Sequence, residues 1–179
     1  MPRFRRSAEG AAIAIKTAAV RLDGGMRFVA RVGSGHDVAF DDRETDTAAG
    51  PTESLLAALA ACTGMDVITI ARKKRQTVES YVVHARAEQR TEYPQVFTRI
   101  DLVHEIVGPD VSEVAVRRCV ELSATIYCPI SAMLSAGATE IHHGFRIRNT
   151  GPSPFEAAAE VIVTGPFARP DIVRTIAPA

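Results

Sequence analysis

The chain lacks an excess of charge of either sign: its 179 residues carry 21 Lys plus Arg against 21 Asp plus Glu, a formal net charge of zero. Proteins that hold nucleic acid through its phosphates rely on a basic surplus or stripe, so no nucleic-acid partner is expected. An uninterrupted apolar run approaching the ~18 residues of a membrane span is also missing. The N-terminal Met1-Pro2-Arg3-Phe4-Arg5-Arg6 leads into no long apolar segment of the signal-peptide kind. The expectation is a soluble, cytoplasmic protein with no membrane partner. Cysteine is scarce, with Cys62, Cys119 and Cys128 the three present. They are too few and too widely spaced for a secreted disulfide scaffold, and none forms a CxxC zinc knuckle. In a reducing compartment they rest as thiols, either as core filler or as working groups. Internal repeats and low-complexity tracts are absent.

What is present is a 46% hydrophobic composition, enough for a substantial core in a chain whose length points to one domain, or one domain with an appendage. Ala11 to Leu22, Met26 to Val32 and His36 to Phe40 read as short strands separated by Asp23-Gly24-Gly25 and Gly33-Ser34-Gly35, an N-terminal meander. Pro51-Thr52-Glu53 then opens a helix, because proline suits the first turn and glutamate complements the positive end of the dipole. From Leu55 to Ala71 this helix is apolar on nearly every side, which predicts burial all round. It ends in Arg72-Lys73-Lys74-Arg75, read as a solvated cationic helix end rather than a basic patch.

Two alternating strands follow. Ser80 to Glu88 sets Tyr81, Val83, Ala85 and Ala87 on one face, and Val96 to Val107 sets Ile100, Leu102 and Ile106 on one face, with a hairpin loop at Tyr93-Pro94. Asp110 to Tyr127 reads as a second helix capped by Asp110, Cys128-Pro129 as its break and the start of a short third helix through Leu134, and Thr139 to Arg148 as a closing strand. Thr150-Gly151-Pro152-Ser153-Pro154 has linker composition. A domain over 1–148 is therefore expected, with 149–179 as a C-terminal extension. In it Phe155 to Val163 fits either a helix or a strand, and Pro166 to Ala179 reads as irregular. The order of elements is that of an α+β chain. A helix too apolar for one small sheet to cover further suggests a homodimer.

Two segments carry chemistry. Gly50-Pro51-Thr52-Glu53-Ser54-Leu55-Leu56-Ala57-Ala58-Leu59-Ala60-Ala61-Cys62-Thr63-Gly64-Met65-Asp66 resembles the central-helix signature of the OsmC/Ohr family. Tyr127-Cys128-Pro129-Ile130-Ser131-Ala132-Met133-Leu134 resembles its second-cysteine segment. With Gly24-Gly25-Met26-Arg27-Phe28 and Ser34-Gly35-His36, the resemblance extends over roughly Arg21 to Ile147. It implies antiparallel sheets around a long buried central helix, in an intertwined homodimer with cysteine sites at the interface. It also implies a thiol-dependent peroxidase: Cys62 attacks an organic hydroperoxide or hydrogen peroxide, Cys128 resolves the product as a disulfide, and a dithiol or lipoylated protein restores both. Arg27 lies near the position of the family's arginine, although a strand arginine is also an ordinary solvated side chain. No cofactor and no metal are implied.

The chemistry is sound, since a thiolate attacks peroxide to give a sulfenic acid that a second thiol condenses with. The two cysteines are 66 positions apart, so only the tertiary fold can join them. Three residues depart from the family pattern. Thr52 stands where peroxide-reducing members have glutamate, and Glu53, nine residues before Cys62, falls on the opposite helix face and reads as a cap. Asp66 lies one turn after Cys62 on the same face, where a carboxylate raises a thiol pKa. Pro129 removes one N–H from a helix start that would otherwise make Cys128 the more acidic thiol, in tension with the roles that the family pattern implies. Cys119 reads as packing. His142-His143 are adjacent on a strand, point to opposite faces, and cannot jointly clasp one metal. His36 reads as a turn-flanking residue. These departures keep a second function open: a non-catalytic protein that binds a small molecule at the dimer-interface pocket.

Overall fold

A computed structural model describes residues 5–6, 12–42 and 44–166. The expected irregular tail is described only at Pro166, and 167–179 lie outside the described residues. The chain divides into two compact units, Met1–Leu55 and Leu56–Ala179.

The first unit contains the expected meander. The predicted strand Ala11 to Leu22 is divided into β2 (Ala12–Ile13), paired with β1 (Arg5–Arg6), and β3 (Ala18–Leu22). β3, β4 (Phe28–Val32) and β5 (Asp37–Phe40) form an antiparallel sheet in that order. The β3–β4 turn needs Gly24 and Gly25, whose φ angles of 110° and 55° are those that a side chain resists.

Helix α1 runs Pro51–Lys73. Glu53 Oε2 accepts the Gly50 N–H at 2.9 Å, so the residue expected to cap the helix does so. At the other end Arg75 adopts φ 58°, and Gln76 N–H donates to the Ala71 carbonyl at 3.0 Å, turning the chain out of the helix. Averaged over an 18-residue window rather than read as an unbroken run, α1 is apolar and long enough to cross a membrane by length and composition alone, which corrects the count of apolar runs. The expectation of burial all round is also corrected. Leu59, Thr63, Gly64, Val67 and Ala71 are buried, a stripe repeating every three to four residues, whereas Ala57, Ala58, Ala61 and Met65 are exposed in the single chain.

The second unit is built on a four-stranded sheet ordered β6 (Ser80–Gln89), β7 (Phe97–Gly108), β8 (Glu140–Asn149), β9 (Phe155–Thr164). The fold is α+β, as expected, but this sheet is mixed. β7 and β8 are parallel, Leu102 opposite His143, while the outer pairs are antiparallel. A parallel pair needs a long crossover, and α2 (Glu113–Leu122), a π-helical turn (Ser123–Tyr127) and α3 (Pro129–Ser135) supply it. Phe155–Thr164, which composition left between helix and strand, is a strand, and its Ala159 enters the core.

Asp110 does not cap the second helix. Its carbonyl accepts the Thr77 N–H at 3.2 Å, buried Val111 holds the chain extended, and the helix starts only after Ser112. Val67 and Ala71 of α1 pack with Ile106, Val116, Val120, Phe145 and Ile147, while Leu59 packs with Ile100, Leu102, Ile141 and Cys128. The sheet, α1 and the crossover thus enclose two apolar clusters, and Cys128 sits in the second.

Candidate redox site

Cys62 lies on α1 one position before buried Thr63, at the half-buried flank of the stripe that faces the sheet. Cys128 is the N-cap of α3. Proline at the next position disfavours a helical backbone here, and Cys128 is extended at φ −75°, ψ 105°. The preceding π-helical turn is closed by Cys128 N–H donating to the Ser123 carbonyl at 3.0 Å. These elements bring the two sulfurs to 3.1 Å as free thiols. A disulfide needs about 2.05 Å, so closing the bond requires an approach of only about 1 Å.

The two thiols have different surroundings. Cys128 is 3% exposed and Cys62 is half-buried, leaving Cys62 the more accessible sulfur. Ser131 N–H donates to Cys128 Sγ at 3.3 Å, which is the favourable contact expected of a helix start. Burial outweighs it: desolvation, then the adjacent Cys62, push the Cys128 thiol up to about 12. Burial thus works against the effect expected of the helix start at Cys128. α3 is only seven residues long, and Cys128 at its start is buried against Leu59, Ile100, Leu102 and Ile141. Cys119 is fully buried among Val116, Val120 and Phe145, with its thiol raised to about 11 by burial, consistent with packing.

Asp66 joins the pair. Its carboxylate and the two sulfurs lie within 4.8 Å of one another. Behind it runs a buried polar chain that the sequence reading missed. Ser123 Oγ donates to Asp66 Oδ2 at 3.0 Å, Thr63 Oγ1 lies 2.9 Å from Ser123 Oγ, His104 Nε2 3.4 Å from Thr63 Oγ1, and Tyr81 OH 2.7 Å from His104 Nδ1. His104 is fully buried and burial holds its pKa down to about 4, so it is neutral at pH 7. One assignment satisfies every member: Tyr81 donates to Nδ1, Nε2–H to Thr63, Thr63 to Ser123, and Ser123 to Asp66. Burial also raises the Tyr81 pKa, which keeps that donor protonated. The signal for His104 was present in the alternation, since position 104 shares the face of Ile100, Leu102 and Ile106. Nothing local distinguishes Ser123 or Thr63 from helix-surface residues.

Arg27 belongs to the N-terminal unit. It donates to Thr47 Oγ1 at 2.8 Å and pairs with Asp23 at 3.5 Å, bracing the turn before β4. Thr52 is exposed in the first turn of α1. Of the histidines, His36 is exposed beside its turn. His142 is half-buried between Glu160, at 2.7 Å, and Glu140. His143 is fully buried, 3.1 Å from Thr164 Oγ1, and its Nδ1 has no hydrogen-bond partner among the described residues. The two ring systems serve different surroundings, as alternation requires.

Residues 44–144, which span α1, both cysteines of the pair and the start of α3, match the family described as OsmC-like protein. The chain belongs to the OsmC-like family. It is 37% identical to protein YhfA of Escherichia coli K12 over 123 residues, covering 69% of this chain and 91% of that protein. It is similar to a hypothetical protein from Aquifex aeolicus VF5, with TM-score 0.67 and 25% identity, covering 76% of this chain and 98% of that one. The fold is also shared with the organic hydroperoxide resistance protein OhrB of Bacillus subtilis, with TM-score 0.51, 18% identity, and coverage of 70% and 94%. Membership of the OsmC-like family therefore stands on shared sequence, and the fold on shared architecture.

Proposed function

We propose that this OsmC-like protein is a two-cysteine, thiol-dependent peroxidase acting on organic hydroperoxides or hydrogen peroxide. The observation that carries the reading is the 3.1 Å separation of Cys62 and Cys128. Cys62, the accessible sulfur, attacks the peroxide as a thiolate. The O–O bond breaks, the alcohol leaves, and Cys62 becomes a sulfenic acid. Cys128, kept protonated by burial, condenses with it, releasing water and forming the disulfide. The sum is two thiols plus ROOH giving disulfide, ROH and water. A dithiol, either small or carried on a lipoylated protein, returns the pair to thiols, in keeping with a cytoplasmic setting.

One equivalent of cumene hydroperoxide added to the reduced chain tests this. The number of titratable thiols in the denatured product is expected to fall from three to one, with Cys119 remaining. A count that stays at three removes the peroxidase reading. Asp66 beside both sulfurs favours the second reading, a non-catalytic protein that binds a small molecule, and an unchanged thiol count is the result that reading expects.

The exposed face of α1, Ala57, Ala58, Ala61 and Met65, supports a homodimer. Alanines allow a second copy's backbone to approach closely, and an apolar helix face is stabilised by being covered. Light scattering at micromolar concentration is expected to give twice the monomer mass of 19.2 kDa. A stable monomer would overturn the proposed assembly.

A further inference from the structure

The same three groups that set the redox site have the composition of a metal centre. We propose that the reduced chain binds one thiophilic divalent cation of the Zn²⁺ class through Cys62 Sγ, Cys128 Sγ and the Asp66 carboxylate, leaving a fourth position open. Geometry and ligand chemistry favour such a site whether or not the pair reduces peroxide. All three donor atoms already lie within 4.8 Å of one another. Zinc–sulfur bonds of about 2.3 Å and zinc–oxygen bonds of about 2.0–2.2 Å in a tetrahedron place two thiolates about 3.8 Å apart. The sulfurs stand at 3.1 Å, so they need separate by only about 0.7 Å.

Supporting contacts are in place for two of the three ligands. A metal-bound carboxylate is ordinarily steadied by a hydrogen bond from a neighbouring group. Asp66 Oδ2 receives that bond from Ser123, which is itself fixed by Thr63, with buried His104 and Tyr81 behind them. Ser131 N–H similarly meets Cys128 Sγ. The charge balance also favours a cation. Among the described residues, no Lys, Arg or His stands within 4.0 Å of the Asp66 carboxylate as an ion-pair partner, and two thiols converge on it. A divalent ion bound here displaces both thiol protons to solvent. Two sulfurs with one oxygen select Zn²⁺ or Co²⁺ over Mg²⁺ or Ca²⁺, whose preferred ligands are all oxygen.

Cobalt reports directly on such a site. The reduced full-length chain, freed of metal with a chelator and titrated anaerobically with Co²⁺, is expected to take up one ion per chain. Thiolate-to-cobalt charge-transfer absorption should appear in the near ultraviolet and vanish when Zn²⁺ displaces the cobalt. Cys62→Ser and Cys128→Ser should each abolish that two-thiolate spectrum. Asp66→Asn, nearly isosteric, should weaken binding by at least about 100-fold, and Ser123→Ala, which removes only the supporting bond, by about 10- to 100-fold. Cys119→Ser should bind as the wild type does, and circular dichroism of each variant checks folding. Wild-type chain without charge-transfer absorption overturns the site. So does Asp66→Asn that folds and binds with unchanged affinity, or a spectrum that depends on Cys119. None of these readouts uses peroxide, so loss of the metal site and loss of the peroxidase reading are separate outcomes.

Discussion

Cys62→Ser is expected to reduce hydroperoxide consumption to the background rate of the dithiol alone, while Cys128→Ser is expected to consume one peroxide per chain and stop. The asymmetry follows from the surroundings of two sulfurs 3.1 Å apart. Serine at 62 replaces the accessible nucleophile by a hydroxyl, which at neutral pH attacks peroxide oxygen far more slowly than a thiolate. Serine at 128 leaves the nucleophile in place but removes the group that would condense with its sulfenic acid. A dimedone adduct should therefore accumulate on Cys62 and be located there by mass spectrometry of tryptic peptides. Cys119→Ser should turn over like the wild type, because that thiol is sealed in the core with Val116, Val120 and Phe145. If the adduct forms on Cys128 in a Cys62→Ser chain at a comparable rate, the two roles are exchanged. Equal slow rates in wild type and Cys62→Ser remove the enzyme altogether.

Much of this site was legible because its parts announce themselves locally. Pro51, Thr52 and Glu53 mark the start of α1, and the alternation through Tyr81 to Ala87 and Ile100 to Ile106 marks the two strands beneath it. What escaped depends on contacts between distant segments. Parallel pairing of β7 with β8 follows from the crossover, not from either strand's pattern. Asp110 is a good cap by residue type, yet Val111 enters the core and delays the helix to Ser112. The acidity expected of Cys128 follows from a helix start in isolation and fails once that start is buried. α1 reads as buried on every side because composition cannot show which of its faces the chain itself covers. The polar chain from Asp66 to Tyr81 was the least legible feature. Its members lie on α1, the π-helical turn, β7 and β6, and only assembly gives Thr63 and Ser123 a meaning.

Two buried histidines, one of them in that polar chain, make this fold sensitive to acid. His104 and His143 are fully buried, and burial is the largest cause holding their pKa values down to about 4 and about 3; nearby His104 and His142 depress His143 further. In the unfolded chain both return to the ordinary value near 6.5. Between the unfolded and folded values the unfolded state binds more protons, so stability falls as pH falls. The loss begins near pH 6.5 and continues until the folded-state values are reached. Moving from pH 7 to pH 5 therefore costs about 2 kcal/mol per histidine, or about 4 kcal/mol for the pair. Lowered carboxylates contribute elsewhere: Asp41, held down chiefly by the Thr47 hydroxyl, starts from 3.8 and titrates below this window. Urea unfolding followed at pH 7, 6 and 5 is expected to show a midpoint that drops at each step. In His143→Leu the dependence should be roughly halved, since one of two titrating groups is gone. That substitution also removes the Nδ1 that has no partner among the described residues, which offsets the loss of the bond to Thr164. A midpoint that is flat from pH 7 to pH 5 would mean that neither imidazole is held neutral, and the assignment of His104 as a neutral link between Tyr81 and Thr63 would fall with it.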